Sequence, residues 1–276
     1  MFNSIQFHIL YLKKFLILIA SSVLLFGAEK RFGTAIVASI QNTPHIVEGR
    51  NQEKKLKLHE SIDFTKTIVL KTGLQDQLYL KFSNNVTIGI LEDSLFRISE
   101  FFQENFLGKS VLFSKEPSKS YFQGFLENGT LVISTKKFSP LSTFEIHLPD
   151  YIIEFHSVDC VISHQYNILN IALYKGNISL KKKNKEIVYL NSPILYTMDN
   201  YLLQNSITGN RYSLSEAPKS WNNLIEYANI ENNRIVFFSS NNERKVAAKA
   251  EIVVPMSYFN KNKYRPRSFL NPSLEQ

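Results

Sequence analysis

The amino-acid sequence predicts an all-β fold with a short helix near the carboxyl end. Short segments of alternating apolar and polar residues recur between residues 34 and 198. Turn-forming residues separate them at intervals of about 8–12 residues, which is typical of all-β domains. Before residue 215 no apolar stripe of helical period is long enough to indicate alternating strands and helices. The pattern therefore does not fit a parallel nucleotide-binding sheet.

The amino terminus has the layout of a signal peptide. Lys13 and Lys14 precede the uncharged apolar run Phe15–Phe26, and two small residues follow it. The run has about 12 residues, whereas a helix needs about 20 to span a bilayer. We therefore expect residues 1–28 to be a signal peptide and the protein to be exported to the periplasm or cell surface of a bacterium. An uncleaved amphipathic anchor is the alternative, because Phe26 stands where a small residue is preferred.

Composition bears on partners and on the source of stability. The 276 residues carry a formal net charge of +8, and the positive charges are dispersed along the chain. Such an excess keeps a protein soluble and also suits contact with membrane headgroups or wall polymers. Cys160 is the single cysteine, so no intramolecular disulfide can form and stability must come from a buried core.

The first predicted strands lie on either side of a turn. Alternation predicts strands at Thr34 to Gln41 and Pro44 to Glu48, with a hairpin or sharp corner at Asn42 and Thr43. A solvated, lysine-rich stretch then precedes a longer strand that ends at Gly73. These two segments are Arg50 to Lys57 and Ile62 to Thr72.

Two asparagine-containing turns predict hairpins. Asn84 and Asn85 separate the alternating runs Gln77 to Phe82 and Val86 to Leu91, and asparagine tolerates left-handed backbone angles. Asn128 and Gly129 predict a second hairpin by the same chemistry. It would join Tyr121 to Phe125 and Thr130 to Thr135.

Four phenylalanines in twelve positions predict burial of the segment between the two hairpins. They are Phe96, Phe101, Phe102 and Phe106, within Leu95 to Phe106. The polar stretch Lys109 to Ser120 after them predicts an irregular excursion.

Further short strands are predicted up to Met198. Their bounds are Ser142 to Leu148, Tyr151 to Phe155, Val158 to Ile162, Ile168 to Tyr174, Ile178 to Lys181, Ile187 to Leu190 and Ile194 to Met198. From Gln204 the composition changes, and Ser220 to Ala228 predicts a short helix. Arg234 to Phe238 predicts one last strand, Glu243 to Ala250 is charged and alanine-rich, and the final fifteen or so residues lack periodicity.

The segment around the first predicted hairpin carries a recognisable arrangement. One strand ends in Thr72-Gly73, a turn contains Asn84 and Asn85, and the next strand closes at Ser94. This arrangement resembles the FecR family of envelope domains.

The likeness to the FecR family extends from Gly33 to Tyr201. Gly129 lies in a segment similar to the strand-Gly-strand element of that family, and Gly176 in one similar to its Val-x-x-Gly-x-Val close. Ser142 to Pro149 is similar to a further element. The chain departs from the family pattern at Ser157 to Val161, where family members have a Gly-Thr pair. That departure puts the local turn in question.

The resemblance implies stacked or solenoid-like antiparallel sheets. Some family members relay a signal from an outer-membrane receptor to a sigma factor through one membrane-spanning helix. We find no such interior helix in the sequence, and no cytoplasmic segment before it, so the resemblance implies the stand-alone exported branch. The predicted organisation is a signal peptide (1–28), a FecR-like β domain (33–201), a partly ordered extension (202–260) and a basic tail (261–276).

Three histidines near an acid and the cysteine suggest a metal site at first sight. His147, His156 and His164 accompany Asp159 and Cys160, which are ligand types for zinc or copper. Their spacing matches no metal pattern, so ordinary core or surface histidines are the preferred interpretation. Cys160 lies in an apolar stretch, which favours a buried, inert thiol over a reactive one. We expect no metal and no cofactor.

The sequence contains few of the residue patterns that are typical of enzyme active sites. No nucleophile elbow of the Gly-x-Ser-x-Gly type occurs, and the isolated glycines form no phosphate-binding loop. Paired acids could hydrolyse a glycan, and the candidates are Glu92 with Asp93 and Asp150 with Glu154. Such acids on short strands are usually solvated turn residues, so we expect no enzyme.

The strongest charge cluster contains Lys181, Lys182, Lys183 and Lys185. With tyrosines nearby it could contact an anionic partner, including lipid headgroups at a membrane surface. Export argues against nucleic acid. The alternative is a solvated hairpin tip whose charges discourage pairing of strand edges.

The sequence leads to one main hypothesis and one rival. The main hypothesis is an exported, FecR-like, non-catalytic module that binds envelope proteins or wall polymers, with peripheral contact to a membrane. The rival is a periplasmic regulator that relays a signal within a sigma and anti-sigma system.

Overall fold

The computed structural model describes residues 30–48, 52–104, 119–136, 138–182, 186–199, 209–239 and 247–252. Arg31 begins the second of two units into which the chain divides, and the fold is that of this unit. The predicted signal peptide, the predicted excursion between Lys109 and Ser120 and the predicted tail lie wholly or mainly outside the described residues.

The described residues form eighteen strands, one 3-10 helix and one α-helix, which confirms the all-β class with a short helix. The strands are β1 (Lys30–Phe32), β2 (Thr34–Gln41), β3 (His45–Glu48), β4 (Gln52–Lys55), β5 (Ser61–Asp63), β6 (Ile68–Lys71), β7 (Gln77–Phe82), β8 (Val86–Ile90), β9 (Leu95–Glu104), β10 (Ser120–Thr135), β11 (Thr143–His147), β12 (Tyr151–Gln165), β13 (Ile168–Lys182), β14 (Ile187–Asn191), β15 (Ile194–Asp199), β16 (Asn210–Tyr212), β17 (Ile235–Ser239) and β18 (Ala247–Ile252). The 3-10 helix is Leu214–Glu216, and the α-helix, α1, is Lys219–Arg234.

Three long strands, β10, β12 and β13, divide the main sheet into two layers. Along one half they join the first layer, whose order is β16-β15-β13-β12-β10-β8-β7-β2-β5. Along the other half they join the second layer, whose order is β14-β13-β12-β11-β10-β9-β6-β3-β4. Each long strand therefore forms backbone hydrogen bonds with neighbouring strands in both layers.

Glycines and bulges mark the points where the long strands change layer. Gly129 has φ +108° in β10, next to a register shift between Leu126 and Asn128. Gly176 has φ +88° in β13, opposite a register shift between Phe155 and Val158 in β12. The left-handed backbone that these glycines permit redirects a continuous strand.

Two sequence predictions are wrong at these positions. Asn128 and Gly129 do not turn a hairpin, because β10 continues through them. Residues 151–162 and 168–181 likewise form single strands rather than pairs of short ones. The physical reason is that a glycine with positive φ suits a bulge as well as a turn.

The structure also tests the predicted turns and strands between residues 34 and 91. The hairpin at Asn84 and Asn85 is confirmed, with Asn85 at φ +64° between β7 and β8. At Asn42 the chain makes a corner rather than a hairpin, because β2 and β3 pair with other strands. The single strand predicted over 62–72 is wrong. It is split into β5 in the first layer and β6 in the second, so the chain passes from one layer to the other between them.

Phenylalanines from both layers fill the space between the layers. Phe82 of the first layer lies 5.5 Å from Phe101 and 5.4 Å from Phe122 of the second layer, measured between ring centroids. Both contacts are edge-to-face, and Phe122 also stacks on Phe144 at 4.1 Å. Such pairs each add about 0.5–1.5 kcal/mol beyond burial of area. The predicted burial is confirmed for Phe96 and Phe101, Phe102 is half-buried, and Phe106 lies outside the described residues.

Helix α1 covers the outer surface of the first layer. Ile225 and Ala228 pack against an apolar cluster that includes Val132 and Val161. The helix extends six residues beyond the predicted end at Ala228, to Arg234. No helix in the described ranges is long and apolar enough to cross a membrane.

Polar side chains on the last two turns of α1 explain this extension. Asn232 Nδ2 donates to the Ser134 carbonyl oxygen at 3.0 Å, and the Lys81 ammonium donates to Asn232 Oδ1. Tyr227 also donates to Ser39 Oγ at 2.8 Å. Contacts with the sheet therefore stabilise a segment whose asparagines are poor helix formers.

We expect Gly176→Ala to destabilise the fold by at least about 2 kcal/mol, because Gly176 combines positive φ with close contact. A methyl carbon there would lie 1.9 Å from the Ser157 carbonyl oxygen. Urea unfolding measures the change. Gly73→Ala is the control, with its nearest contact at 3.3 Å, and should cost less than about 1 kcal/mol. Equal costs for the two variants would contradict the proposed role of Gly176.

The two neighbouring asparagines of α1 should differ in their effect on stability. Asn232→Ala removes the hydrogen-bond acceptor of buried Lys81 and the donor to Ser134, so we expect a loss of about 2–4 kcal/mol. Asn233 is exposed and contacts Lys136, so Asn233→Ala should cost at most about 0.5 kcal/mol. Chemical denaturation of the two variants tests this, and similar losses would refute the docking of α1 through Asn232.

Candidate functional site

The outer surface of the second layer, which we call the open face, carries two lines of side chains across neighbouring strands. Residues in register on adjacent strands point to the same face. The first line comprises Val69, Arg97, Phe125, His147, Ile152, Lys181 and Ile187. The second comprises Glu100, Gln123, Glu145, Glu154, Ser179 and Tyr189. All are half-buried or exposed.

An aromatic side chain at the centre of the first line lies between two basic groups. The Arg97 guanidinium carbon lies 4.9 Å from the centroid of the Phe125 ring. The His147 ring lies 4.7 Å from the same ring between centroids. Contacts of this kind hold long side chains in one orientation while leaving part of the aromatic surface open to solvent.

Two acids of the second line lie directly opposite each other. Glu145 and Glu154 are in register on β11 and β12, a pairing of like charges that is unfavourable by itself. Each has a basic neighbour from the first line. His147 Nε2 lies 2.8 Å from Glu145 Oε2, and the Lys181 ammonium forms an ion pair with Glu154. Two of the three acids in the second line are therefore paired with basic side chains of the first.

A glutamine extends this network. Gln123 Nε2 lies 3.1 Å from His147 Nε2. Ser99 Oγ donates to Gln123 Oε1 at 3.0 Å. His147 Nε2 is the nitrogen that also contacts Glu145, and it either donates to that carboxylate or accepts from the Gln123 amide, so the two contacts are alternatives.

The lysine cluster joins the edge of the open face only in part. Lys181 and Lys182 end β13, and both are half-buried. Lys183 and Lys185 lie outside the described residues. On the neighbouring edge strand β14, Ile187 is 45% exposed and Tyr189 is 67% exposed. A role for the four lysines in contact with an anionic partner stays a prediction.

The residues of the FecR-like arrangement have structural contacts. Thr72 Oγ1 donates to the Leu91 carbonyl oxygen at 2.5 Å and accepts from the Ser94 amide at 2.9 Å. The Gly73 amide donates to Asp76 Oδ2 at 2.8 Å. These bonds hold the end of β6 against the start of β9.

The remaining residues of that arrangement support turns and strand crossings. Asn84 Nδ2 donates to Ser120 Oγ at 3.2 Å. Ser94 Oγ accepts from the Thr130 amide at 2.9 Å, and a methyl carbon on Gly129 would lie 2.1 Å from that oxygen. The Asn85 amide donates to the Phe82 carbonyl oxygen at 3.1 Å in the hairpin.

The fold does not bring the three histidines together. His147 lies on the open face, His156 is exposed beside a register shift, and buried His164 has Nδ1 3.1 Å from the Glu127 carbonyl oxygen. Cys160 is fully buried, and burial raises the pKa of its thiol. Among the residues with described positions, no three His, Cys, Asp or Glu side chains are grouped to hold a metal ion.

The candidate catalytic acids occupy different parts of the fold. Glu92 accepts a hydrogen bond from the Gln75 amide at 3.2 Å, and Asp93 has φ +51° in the turn before β9. Asp150 is exposed in the turn between β11 and β12. Glu154 is the ion-pair partner of Lys181.

Sequence reasoning missed the polar layer beneath α1, which contains Lys81, Asn229 and Asn232. In Gln77–Phe82 the leucines and Phe82 alternate with Tyr79 and Lys81, which indicates a strand with one solvated face. Lys81 is covered by a helix about 150 residues later in the chain. The local alternation of apolar and polar residues does not reveal such a distant contact. The signal that was present is the cluster of asparagines at one end of a predicted helix.

A double-mutant cycle should detect coupling across the open face. Both partners are partly exposed, so we expect Lys181→Met and Glu154→Gln to show a coupling of about 0.5–1 kcal/mol in the free energy of unfolding. The coupling should shrink in 1 M salt because the ions screen the pair. Zero coupling at low salt would show that the ion pair does not order the face.

Comparisons with known proteins give structural alignments over part of the chain. No family model matches it, and no curated protein matches it. Two solved structures of a candidate anti-sigma factor from Parabacteroides distasonis ATCC 8503, at 2.50 Å and 1.65 Å resolution, align with TM-scores of 0.39 and 5% sequence identity. The alignments cover 53% and 52% of this chain, and 60% and 59% of those chains. This chain thus spans about three fifths of the length of the structures it matches.

Proposed function

We propose that this protein is an exported, non-catalytic binding module of the bacterial cell envelope whose open face contacts an envelope protein or a wall polymer. The observation that carries the proposal is that the two layers differ in how far their outer surfaces are buried. Helix α1 buries the outer surface of the first layer, whereas the outer surface of the second layer keeps aromatic and charged side chains accessible.

The order of the open face supports a role in recognition. Glu145 and Glu154 have basic neighbours, and Phe125 lies between Arg97 and His147. Side chains that are already fixed lose less conformational entropy when a partner binds. Aromatic and arginine side chains are also enriched at protein interfaces.

The sequence supports export from the cytoplasm, and the contacts of the candidate catalytic residues support a binding role. Residues 1–28 have the layout of a signal peptide, and Gly33 to Tyr201 resembles the FecR family. Glu92 and Glu154 are engaged in local hydrogen bonds or ion pairs, and burial makes the Cys160 thiol a poor nucleophile. These contacts support a structural role for Glu92, Glu154 and Cys160.

The rival function is a periplasmic signal-relay regulator of the sigma and anti-sigma type. It rests on the FecR resemblance, because some members of that family act in this way. The two functions differ in the partner, so the experiment must identify what binds as well as where it binds.

Cross-linking and capture from envelopes tests the proposed function. The full chain, tagged and produced in the bacterium that encodes it, is isolated from solubilised envelopes and its partners are identified by mass spectrometry and wall-sugar analysis. We compare Tyr189→Ser on the open face with Tyr166→Ser, a control at another exposed tyrosine in the turn between β12 and β13. Tyr189→Ser should reduce recovery of the partner at least about tenfold, as expected for an interface hot spot.

The identity of the partner then separates the two functions. A structural envelope protein or wall polymer, lost with Tyr189→Ser and kept with Tyr166→Ser, supports the binding module. A receptor or anti-sigma protein with the same dependence supports the relay. Equal recovery with both variants, or unprocessed protein in the cytosol, would overturn the proposal.

A further inference from the structure

A line of polar side chains lies under α1 on the covered surface of the first layer. Lys81, Thr87 and Ser134 are in register on β7, β8 and β10. Lys81 is 1% exposed, and the other two are fully buried. Asn232 of α1, 4% exposed, lies over this line and contacts Lys81 and Ser134. A lysine amine is therefore enclosed between the helix and the sheet.

The hydrogen bonds of this layer leave donors in excess. The Lys81 ammonium has three N–H groups and donates to Asn232 Oδ1. Asn232 Nδ2 donates to the Ser134 carbonyl oxygen at 3.0 Å, and Ser134 Oγ donates to Asn229 Oδ1 at 2.8 Å. Thr87 Oγ1, beside Lys81 on the next strand, has no hydrogen-bond partner among the described residues. A buried hydroxyl without a partner is unfavourable.

Among the described residues no acid forms an ion pair with Lys81, and the buried acid of α1, Glu231, pairs with Arg234 instead. Among the groups described, the one that acts electrostatically on Lys81 is a second cation, Lys136. The acid in the same line is Asp159, three strands away on β12, which is roughly 14 Å at the usual strand spacing. Burial, together with Lys136, lowers the pKa of the Lys81 amine well below its ordinary value. An acceptor close to Lys81 would relieve this cost.

We propose that a small monovalent anion of halide size binds between β7, β8 and α1, held by Lys81 Nζ and Thr87 Oγ1. The ammonium and hydroxyl groups both donate to it, which satisfies Thr87 and supplies the missing negative charge. The anion binds the folded state, because the site needs both the sheet and the docked helix. Anion concentration therefore sets how firmly α1 covers the first layer.

Thermal unfolding of the full chain in matched salts tests the site. Sodium chloride is compared with sodium gluconate, whose anion is too large for the layer, at equal ionic strength. The melting temperature of the native protein should rise by several degrees with increasing chloride and not with gluconate. Lys136→Met, the control at the neighbouring exposed lysine, should keep the chloride effect, whereas Lys81→Met and Thr87→Val should lose it.

Crystals soaked in sodium bromide locate the anion directly. An anomalous peak in hydrogen-bonding contact with Lys81 Nζ supports the proposal, and it does not depend on whether Lys81→Met folds. The proposal is overturned if no peak occurs there, or if chloride and gluconate stabilise the native protein equally. In that outcome Lys81 is a neutral amine, or water molecules occupy the layer.

Discussion

The fold depends on three strands that hydrogen-bond in two layers at once. β10, β12 and β13 each pair with one set of neighbours along one half and with another set along the other half. The change of direction requires left-handed backbone at Gly129 and Gly176. Because the strands are continuous, the two layers face each other without separate connections at these points, and their phenylalanines meet in one core.

The described residues cover the two outer surfaces to different extents. The first layer presents Val132, Val161 and Ala172 outward, and leaving these apolar side chains in water would be unfavourable, so α1 must cover them. The second layer presents ion-paired side chains, whose contact with water is favourable, together with partly exposed aromatic and aliphatic side chains. Among the described residues, one surface is therefore packed beneath a helix, and the other keeps its side chains accessible. Lys81 is buried because β7 places it on the surface of the first layer that α1 covers.

Much of this could be predicted from the sequence, and the failures have physical causes. Alternation locates most strands, and Asn84 and Asn85 turn a hairpin as their chemistry indicates. Gly129 and Gly176 misled the prediction, because the backbone angle that a tight turn needs also suits a bulge in a long strand. Lys81 alternates with buried residues and so suggests solvent, whereas the helix that buries it lies far along the chain. The lines of side chains across the open face depend on strand register, which the sequence alone does not specify.

Amine labelling of the folded protein tests most directly that one outer surface is covered and the other is open. Lys71 is exposed on β6 of the second layer, and Lys81 lies beneath α1. An amine-reactive ester followed by mass spectrometry should modify Lys71 quickly and leave Lys81 unmodified until the protein is unfolded. Labelling of Lys81 in the folded protein as fast as Lys71 would contradict the account.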